Sequence, residues 1–289
     1  MPVRSEEWVL PLSLPAALLI VDGLVVIEHA SSDSRTEILA RADRRRVHVL
    51  RENDPVVHEA RLRQRMLDRG REIGATHFLQ IDADEVITAN LVPRVRRAFS
   101  RLAPGETLWM PWLHLWDGLD RLRDDDSGIS SHRMIAGFRD APEIHFVDNR
   151  GYDIHRREPV GTGRQRKFPR TFRDGGLLHL AFASWRRLVS KMAWYKMIEV
   201  LRFSEYSEVA EIDRRYSRDV DECVRTVPVP REWWAGYEPW RRGVDLDSQS
   251  WQESECVTMW RREGAARFRG LNLWDVPQKA AQASSQGGV

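Results

Sequence analysis

The stretch THFLQIDADE, at positions 76–85, constrains the fold and the function of this chain more than any other stretch. Its apolar part follows Gly74 and leads directly into the carboxylates Asp82, Asp84 and Glu85. A short apolar run of this kind is typical of a buried central strand that has helices on both faces. Open α/β sheets bind ligands at the carboxyl ends of such strands, so we expect these carboxylates to face a ligand crevice.

Acidic side chains that crowd one strand end repel each other unless a cation lies between them. Oxygen ligands of this kind suit Mg²⁺ or Mn²⁺, and substrate phosphates usually complete the coordination shell. The alternative is a solvated acidic turn that follows the strand, because short acidic motifs recur by chance. The motif alone leaves both interpretations open.

Strand-like and helix-like patterns alternate in the residues that precede the acidic stretch. Residues 1–3, 24–29 and 47–50 are short apolar or β-branched runs, whereas 34–42 and 57–73 have helical patterns. This alternation predicts an α/β fold with a mainly parallel, doubly wound central sheet flanked by helices. Neither a GxGxxG nor a Walker pattern is present, which argues against a Rossmann dehydrogenase or a P-loop enzyme.

The pattern is less regular beyond the acidic stretch. Residues 108–116 alternate around tryptophans and predict a strand, and 117–174 are typical of a functional loop region with short strands. Residues 175–180 predict a short apolar strand that carries His179 near its end. We expect Ser184 to cap a long amphipathic helix that follows this strand.

Composition excludes several classes of protein. The 289 residues are 42% hydrophobic and 30% charged, as in globular proteins with a substantial core, and a net charge of +2 gives no support for a nucleic-acid partner. The longest apolar stretch, 16–27, is interrupted by Asp22 and too short to span a bilayer, and no signal-peptide pattern is present. Cys223 and Cys256 fit a reducing compartment, so we expect a cytoplasmic protein, with peripheral membrane contact left open.

Four stretches, in this order and spacing, resemble the glycosyltransferase family 2 type of GT-A enzyme. They are VRSEEWVLPLSL (3–14), VVIEHASSDSRTEILA (25–40), FLQIDADEV (78–86) and GGLLHLAFASWRRLVSKMAWY (175–195). The resemblance covers about residues 3–200, and SSDSRTEIL and DADE are its specific parts.

The resemblance implies a GT-A fold with two halves. Residues 1–110 would form the nucleotide-sugar-binding half, and 111–275 would form the acceptor-binding half with a helical, Trp-rich C-terminal part. The small and polar residues of 276–289 are expected to form a disordered tail.

The resemblance implies that residues near the ends of the first strands bind the nucleotide. Val3, Arg4 and Glu6 would lie beside the nucleotide base. Glu28 and His29 stand at the family's paired acidic positions, where His29 replaces the common Asp and leaves the base preference open. The other residues implied to bind the nucleotide are Asp33, Asp54, Arg65, Asp82 and Ala83.

The resemblance also implies a metal site and a general base. Asp82 and Asp84 match the family's DxD pair, Asp84 would bind Mn²⁺ or Mg²⁺ directly, and His179 would face the metal or the diphosphate unless it is a core histidine. An inverting enzyme needs a base for the acceptor hydroxyl. We favour Glu158, since neighbouring arginines would keep it ionised and Pro159 would hold it extended. The other candidates are Asp148, Asp153, Glu143 and Asp174.

Several conspicuous side chains have simpler interpretations. We expect Lys191 to be solvated on its helix, and Arg61, Arg63 and Arg65 to form an exposed helix face rather than a phosphate clamp. Tryptophans are candidates for stacking on an acceptor sugar, although most of them should belong to the core. The tryptophans considered are Trp112, Trp116, Trp233 and Trp234.

The resemblance thus implies a divalent-metal-dependent, inverting glycosyltransferase of the hexosyl or N-acetylhexosaminyl class. The donor would be a nucleoside-diphosphate sugar, with a UDP-sugar favoured, and the acceptor a glycan or a small natural-product scaffold. A retaining mechanism is not excluded. Two other functions stay open: a sugar-phosphate nucleotidyltransferase, which shares the nucleotide-binding half and the acidic pair, and a non-catalytic carbohydrate-binding protein.

Overall fold

The computed structural model describes residues 1–30, 43, 45–125, 132–147, 157–168, 171–205, 207–221 and 224–286. This part of the chain has a mixed α/β fold. Its strands are β1 Pro2–Val3, β2 Leu24–His29, β3 Val47–Glu52, β4 His77–Leu79, β5 Glu85–Ile87, β6 Thr107–His114, β7 Arg121–Arg123, β8 Arg133–Arg139, β9 Gln165–Lys167, β10 Leu177–His179 and β11 Thr226–Pro228. Its α-helices are α1 Leu10–Leu18, α2 Glu59–Glu72, α3 Val92–Phe99, α4 Trp185–Arg202, α5 Val209–Asp221, α6 Glu238–Arg241, α7 Trp251–Glu263 and α8 Val276–Gln286.

The first three strands form the parallel arrangement that the sequence predicts. Their order is β1-β2-β3, with Val3 opposite Glu28 and Glu28 opposite Arg51. The carboxyl ends of these strands therefore lie at one edge of the sheet. The predicted helix 57–73 is present as α2, while the predicted helix 34–42 lies outside the described residues.

The acidic stretch, however, does not belong to this parallel sheet. Strand β4 lies in a mixed sheet of order β4-β8-β6-β10-β5, to which β9 adds beside β6, and its only paired neighbour among the described strands is the antiparallel β8. Gly137 permits this pairing, because a Cβ at that position would lie 1.9 Å from the carbonyl oxygen of Phe78. The expectation of one mainly parallel central sheet is therefore wrong for β4.

A cavity of about 720 Å³ lies where the two sheets separate. It is lined by the N-terminal part of β2, by β4 and by apolar side chains of α2 and its C-terminal end, among them Leu67 and Ile73. Of the predicted site residues that lie within the described ranges, none lines it. The acidic residues lie instead at the other end of β4, where the chain turns into β5.

Strands β5, β6 and β10 bring distant residues to this turn. Strand β10 lies between β6 and β5, so that His179 is opposite His114 on one side and Glu85 on the other. The predicted strand at 108–116 is confirmed as β6, and the apolar run at 175–180 as β10. The acidic turn and His179 are therefore neighbours in space.

Helix α4 begins where the sequence predicts. Ser184 is its N-cap and accepts a hydrogen bond from the backbone NH of Arg187. The apolar face of α4 packs with α5, α7 and α8 in a core that includes Trp194, Met197 and Cys256. Part of α4 thus faces the acidic turn, while the rest packs in the core that α4 forms with α5, α7 and α8.

The C-terminal segment differs from the sequence-based expectation. The expected disordered tail forms α8 through Gln286, because Val276 and Ala280 are buried and Lys279 forms ion pairs with Glu253 and Asp275. In the described part of the chain no helix is long and apolar enough to cross a membrane.

Candidate functional site

Asp84 lies at the centre of the candidate site, in the turn between β4 and β5. Its Oδ2 is 3.3 Å from Nζ of Lys191 on α4 and 3.4 Å from Nε2 of His179 at the end of β10. Burial alone would raise the pKa of Asp84, but Lys191 and then His179 lower it below its usual value. The carboxylate is therefore ionised at neutral pH, and Lys191, expected to be solvated, is instead part of the site.

Asp82 is neutralised by two arginines. Nη2 of Arg63 donates to Oδ1 at 3.0 Å, and Nη1 of Arg157 donates to Oδ2 at 3.3 Å. Burial would raise the pKa of Asp82, but Arg63 and Arg157 lower it. The expectation that Arg63 belongs to an exposed helix face is wrong, because its side chain is only 5% exposed and turns inward to Asp82 and Glu59.

Glu85 is a buried structural anchor and does not face a crevice. Its side chain is fully buried, and Oε1 accepts from Nη1 of Arg157 at 2.6 Å and from Nε1 of Trp112 at 2.9 Å. Oε2 accepts from the backbone NH of Asp82 at 2.9 Å. Glu85 therefore fixes the turn that presents Asp82 and Asp84.

A buried histidine pair orients the ring of His179. The Nδ1 atoms of His114 and His179 are 3.1 Å apart, so one of them donates and the other accepts the hydrogen bond. Burial, followed by the charge of His179, lowers the pKa of His114 well below its usual value, so His114 is neutral. Trp112 stacks on His179 with ring centroids 4.7 Å apart. His179 thus directs Nε2 towards Asp84.

Glu6 approaches the same carboxylate from the segment that follows β1. Burial and the charge of Asp84 raise the pKa of Glu6 to about 7, and Trp8 Nε1 donates a hydrogen bond to it. Arg187 Nη2 lies 3.9 Å from Glu6 Oε2. A small cavity of about 20 Å³ is bounded by these groups together with Ala181, Lys191 and Gln252. The segment that follows β1 and the acidic turn therefore meet at this cavity.

Other residues predicted to bind the nucleotide surround the ends of β1 and β2. Arg4 stacks over Trp251 at 3.8 Å from the ring centroid and pairs with Glu255 at 2.9 Å, so α7 covers this strand end. His29 is buried, and its Nε2 makes a hydrogen bond of 2.6 Å with the backbone oxygen of Asp54. Burial lowers the pKa of His29.

Several residues predicted to bind the nucleotide contact groups other than the acidic turn. Glu28 pairs with Arg51, and Arg65 pairs with Glu52 at 2.7 Å rather than reaching the acidic turn. Val3 and Ala83 are buried in the apolar core, so only their backbone atoms can meet a ligand. The side chain of Asp54 bonds to Arg61.

Three of the five candidate bases, Glu143, Glu158 and Asp174, lie within the described residues. Asp33, Asp148 and Asp153 lie outside the described residues. Glu158 is exposed and directly follows Arg157, which reaches Asp82 and Glu85. Glu143 is exposed, and Asp174 is engaged in a capping box with Thr171. The preference for Glu158 therefore stays a prediction.

The donor atoms at Asp84 suit a divalent cation that takes most of its ligands from a substrate. Asp84 Oδ2 and His179 Nε2 lie 3.4 Å apart, whereas each oxygen of Asp82 accepts a hydrogen bond from an arginine. In the described ranges no group of three or more His, Cys, Asp or Glu side chains is arranged to hold a metal. Mg²⁺ commonly binds to one or two carboxylates and to substrate phosphates, so the residues fit that mode of binding with Asp84 as the direct ligand.

Sequence reasoning missed the cations of this site. Arg63, Arg157 and Lys191 are 19, 75 and 107 positions away from the carboxylates they contact. Only the Glu59–Arg63 spacing of four residues carries a local signal, and it indicates an ordinary helical pair.

No protein-family model matches the chain, and no curated protein sequence matches it either.

Proposed function

We propose that this protein is a glycosyltransferase with a GT-A type of fold that transfers a sugar from a nucleoside-diphosphate donor to an acceptor hydroxyl. The observation that carries the proposal is the set of Asp84, His179 and Lys191 at the end of β4, beside Glu6 at the end of β1. Ligands of open α/β sheets bind at the carboxyl ends of parallel strands, and Glu6 follows such a strand, β1. The resemblance to family 2 enzymes supports the same assignment.

The cations around Asp84 suit the diphosphate of a donor. Burial would lower the pKa of Lys191, but the carboxylate of Asp84 raises it, so this ammonium stays charged at neutral pH. Lys191 can exchange Asp84 for a phosphate oxygen, because its side chain is 25% exposed. Arg187 lies four residues before Lys191 on α4, and both residues border the small cavity at Asp84. A fixed cationic group of this kind stabilises the charge that develops on a leaving diphosphate.

A divalent cation is part of the proposal. Asp84 would hold Mn²⁺ or Mg²⁺ with His179 beside it, and the ion would act as a Lewis acid for the leaving diphosphate. Asp82, which the arginines engage, would position the turn and the nucleotide rather than bind the ion. Lys191 would then give up its contact with Asp84 and bind phosphate oxygens of the donor.

The chemical step needs one proton acceptor. The acceptor oxygen attacks the anomeric carbon, the bond from that carbon to the diphosphate oxygen breaks, and the electron pair leaves with the nucleoside diphosphate. Glu158 takes the hydroxyl proton in this proposal, as a base in an inverting reaction. UDP is the proposed nucleotide, and a hexosyl or N-acetylhexosaminyl group the proposed sugar. We place this reaction in the cytoplasm, where the reduced state of buried Cys256 is favoured.

A donor-hydrolysis screen tests the proposal. Purified protein is incubated with UDP-, GDP- and dTDP-sugars and Mn²⁺, and the released nucleoside diphosphate is measured. We expect release from at least one donor, and a loss of at least about 100-fold in the Asp84→Asn variant. Asp22→Asn is the matched control, because the Asp22 side chain is 96% exposed. Release of pyrophosphate from a sugar phosphate and a nucleoside triphosphate would instead indicate a nucleotidyltransferase, and binding of saccharides without nucleotide release would indicate a carbohydrate-binding protein.

A further inference from the structure

The cavity of about 720 Å³ lies between two strand edges that have no partner strand in the described part of the chain. The ladder of β1 and β2 begins with Pro2 opposite Ile27, so the first half of β2 is uncovered on this side. Strand β4 is the end strand of the mixed sheet, and β8 is its only described neighbour. Residues of both edges line the cavity, among them Val25 of β2 and Leu79 of β4.

The backbone of β2 directs hydrogen-bonding groups into this cavity. The NH of Leu24 donates to the oxygen of Arg46, so the even-numbered residues of β2 bond towards β3. Alternation along a parallel strand turns the odd-numbered residues the other way, and the NH of Ile27 donates to the oxygen of Met1 at 3.0 Å. The NH of Val25 therefore points from the uncovered edge into the cavity.

The facing edge of β4 is open in the same way. The NH of Gln80 donates to the oxygen of Ala136, so the even-numbered residues at β4 bond towards β8. The backbone groups of His77 and Leu79 accordingly point away from β8, and both residues line the cavity. Backbone donors and acceptors that border an apolar cavity are unfavourable unless another polar group bonds to them.

An extended polypeptide strand provides what both edges lack. Its NH and CO groups can bond to β2 on one side and to β4 on the other, as in the addition of a peptide strand to an open sheet edge. Its side chains would meet an apolar wall that includes Leu67, Phe99 and Phe138. An acyl chain would fill the apolar space but leave the backbone groups unpaired. The two open edges therefore favour a peptide over a lipid.

The charge at one end of the cavity fixes the direction of such a strand. The buried ammonium of Met1 donates to the oxygen of Val25 at 2.9 Å and to Sδ of Met66 at 3.2 Å, and Arg63 lines the same cavity. Burial, followed by the charge of Arg63, lowers the pKa of the Met1 ammonium to about 5. A carboxylate beside Met1 would offset this positive potential. A strand parallel to β2 and in line with β1 places its C-terminal carboxylate there.

We propose that this cavity is a docking site for the C-terminal strand of a partner polypeptide, which lies between β2 and β4 with its free carboxylate at Met1. The last residues of the partner would lie opposite Val25 and Leu24. This inference goes beyond the proposed glycosyl transfer and does not rest on it. A bound strand would join the two sheets, whose other ends lead to Glu6 and Asp84.

An NMR titration of the full ¹⁵N-labelled chain tests this site. The probes are a pool of acetylated tetrapeptides of Thr, Val, Ile and Phe with free carboxylates. We expect at least one peptide to bind and to slow hydrogen exchange of the Val25 and Leu79 amides by about tenfold or more, because both amides become part of a ladder. The C-terminal amide of the same peptide should bind about tenfold more weakly, because it lacks the charge that faces Met1.

Ile73→Trp tests the location, because Ile73 lines the cavity and is 38% exposed, so that an indole there narrows the cavity. It should weaken peptide binding about fivefold or more. Val160→Trp is the matched control, because Val160 is 39% exposed and does not line the cavity. It should bind the peptide as wild type does.

The strand site is overturned if no peptide of the pool binds, if the acid and the amide bind equally, or if Ile73→Trp binds as wild type does. Binding without protection of the Val25 and Leu79 amides would also overturn it. Oleate is titrated in parallel. Binding of oleate without binding of any peptide would assign the cavity to an acyl chain. Protection of both amides by raised protein concentration alone would assign it to a second copy of the chain.

Discussion

Lys191 Nζ lies 3.3 Å from Asp84 Oδ2, although the two residues are 107 positions apart in the sequence. The ammonium comes from α4 and the carboxylate from the turn that follows β4. This contact changes the expected electrostatics of the site. Acidic residues crowded at a strand end should repel each other, but Asp84 is matched by Lys191 and Asp82 by Arg63 and Arg157. The site is therefore balanced in charge without a bound cation.

The first prediction concerns the coupling of Asp84 and Lys191. Lys191→Met and Asp84→Asn should each lower the free energy of unfolding by about 1–3 kcal/mol, because each leaves the other group partly buried without its charged partner. The double variant should lose less than the sum of the two single losses. Urea denaturation of the four proteins measures this, and additive losses would show that the pair does not interact.

The second prediction concerns Arg157 and the buried carboxylate of Glu85. Arg157→Met should lower the free energy of unfolding by about 3–5 kcal/mol, because it leaves Glu85 as a buried charge without its ionic partner. Arg69→Met is the control, since the Arg69–Glu72 pair is exposed and such pairs contribute about 0–1 kcal/mol. Chemical denaturation of both variants checks the difference. Equal losses would contradict the role of Arg157.

The third prediction follows from the raised pKa of Glu6. The pKa of Glu6 is about 7 in the folded protein, whereas its ordinary value is 4.5. The folded state therefore binds the Glu6 proton more tightly than the unfolded state. The stability contributed by protonated Glu6 is fully present below pH 4.5 and is lost as the pH rises through about 7.

Glu6→Gln removes this titration, so its stability relative to wild type should rise between about pH 5 and pH 8. Urea denaturation of both proteins across this range measures the difference. Glu7→Gln is the control, because Glu7 is adjacent in sequence but does not border the cavity at Asp84. A constant difference between wild type and Glu6→Gln across the range would argue against the shifted pKa.

The sequence was sufficient for features with a local cause. Ser184 predicted the start of α4 because an N-cap is a contact within one turn, and the apolar run before Asp82 predicted a strand that ends at the site. Strand β8 had no such local pattern, so the pairing of β4 was assigned to the wrong sheet. Lys191 and Arg157 were missed because their partners come from remote elements. Helix α8 depends on Val276, which packs in the core around Trp194 and Met197, and on the burial of Ala280. The small and polar composition of this segment does not indicate these contacts.

The fourth prediction concerns the general base. Glu158→Gln keeps the size and hydrogen-bonding shape of the side chain but cannot take up the acceptor proton. The value of kcat should fall by about 10²- to 10⁴-fold. Nucleotide affinity should remain close to wild type, because the proposed donor site is at Asp84 and the ends of the first strands and does not include Glu158. Transfer rate per folded molecule, measured beside a nucleotide titration, checks this.

Glu72→Gln is the control for the general base, because Glu72 is exposed and is not one of the candidate bases. Near-normal turnover of Glu158→Gln would exclude Glu158. The search would then move to Asp148, Asp153, Glu143 and Asp174.

The most direct test of the central claim is a calorimetric titration of UDP in the presence and absence of Mn²⁺. Wild type and Asp84→Asn are compared, with Asp22→Asn as the exposed control. We predict Mn²⁺-dependent UDP binding in wild type and in Asp22→Asn, and a loss of the Mn²⁺ dependence in Asp84→Asn, whose fold is verified by circular dichroism. Absence of UDP binding in wild type, or equal Mn²⁺-dependent affinity in Asp84→Asn, would contradict the assignment of Asp84 to a metal–diphosphate site.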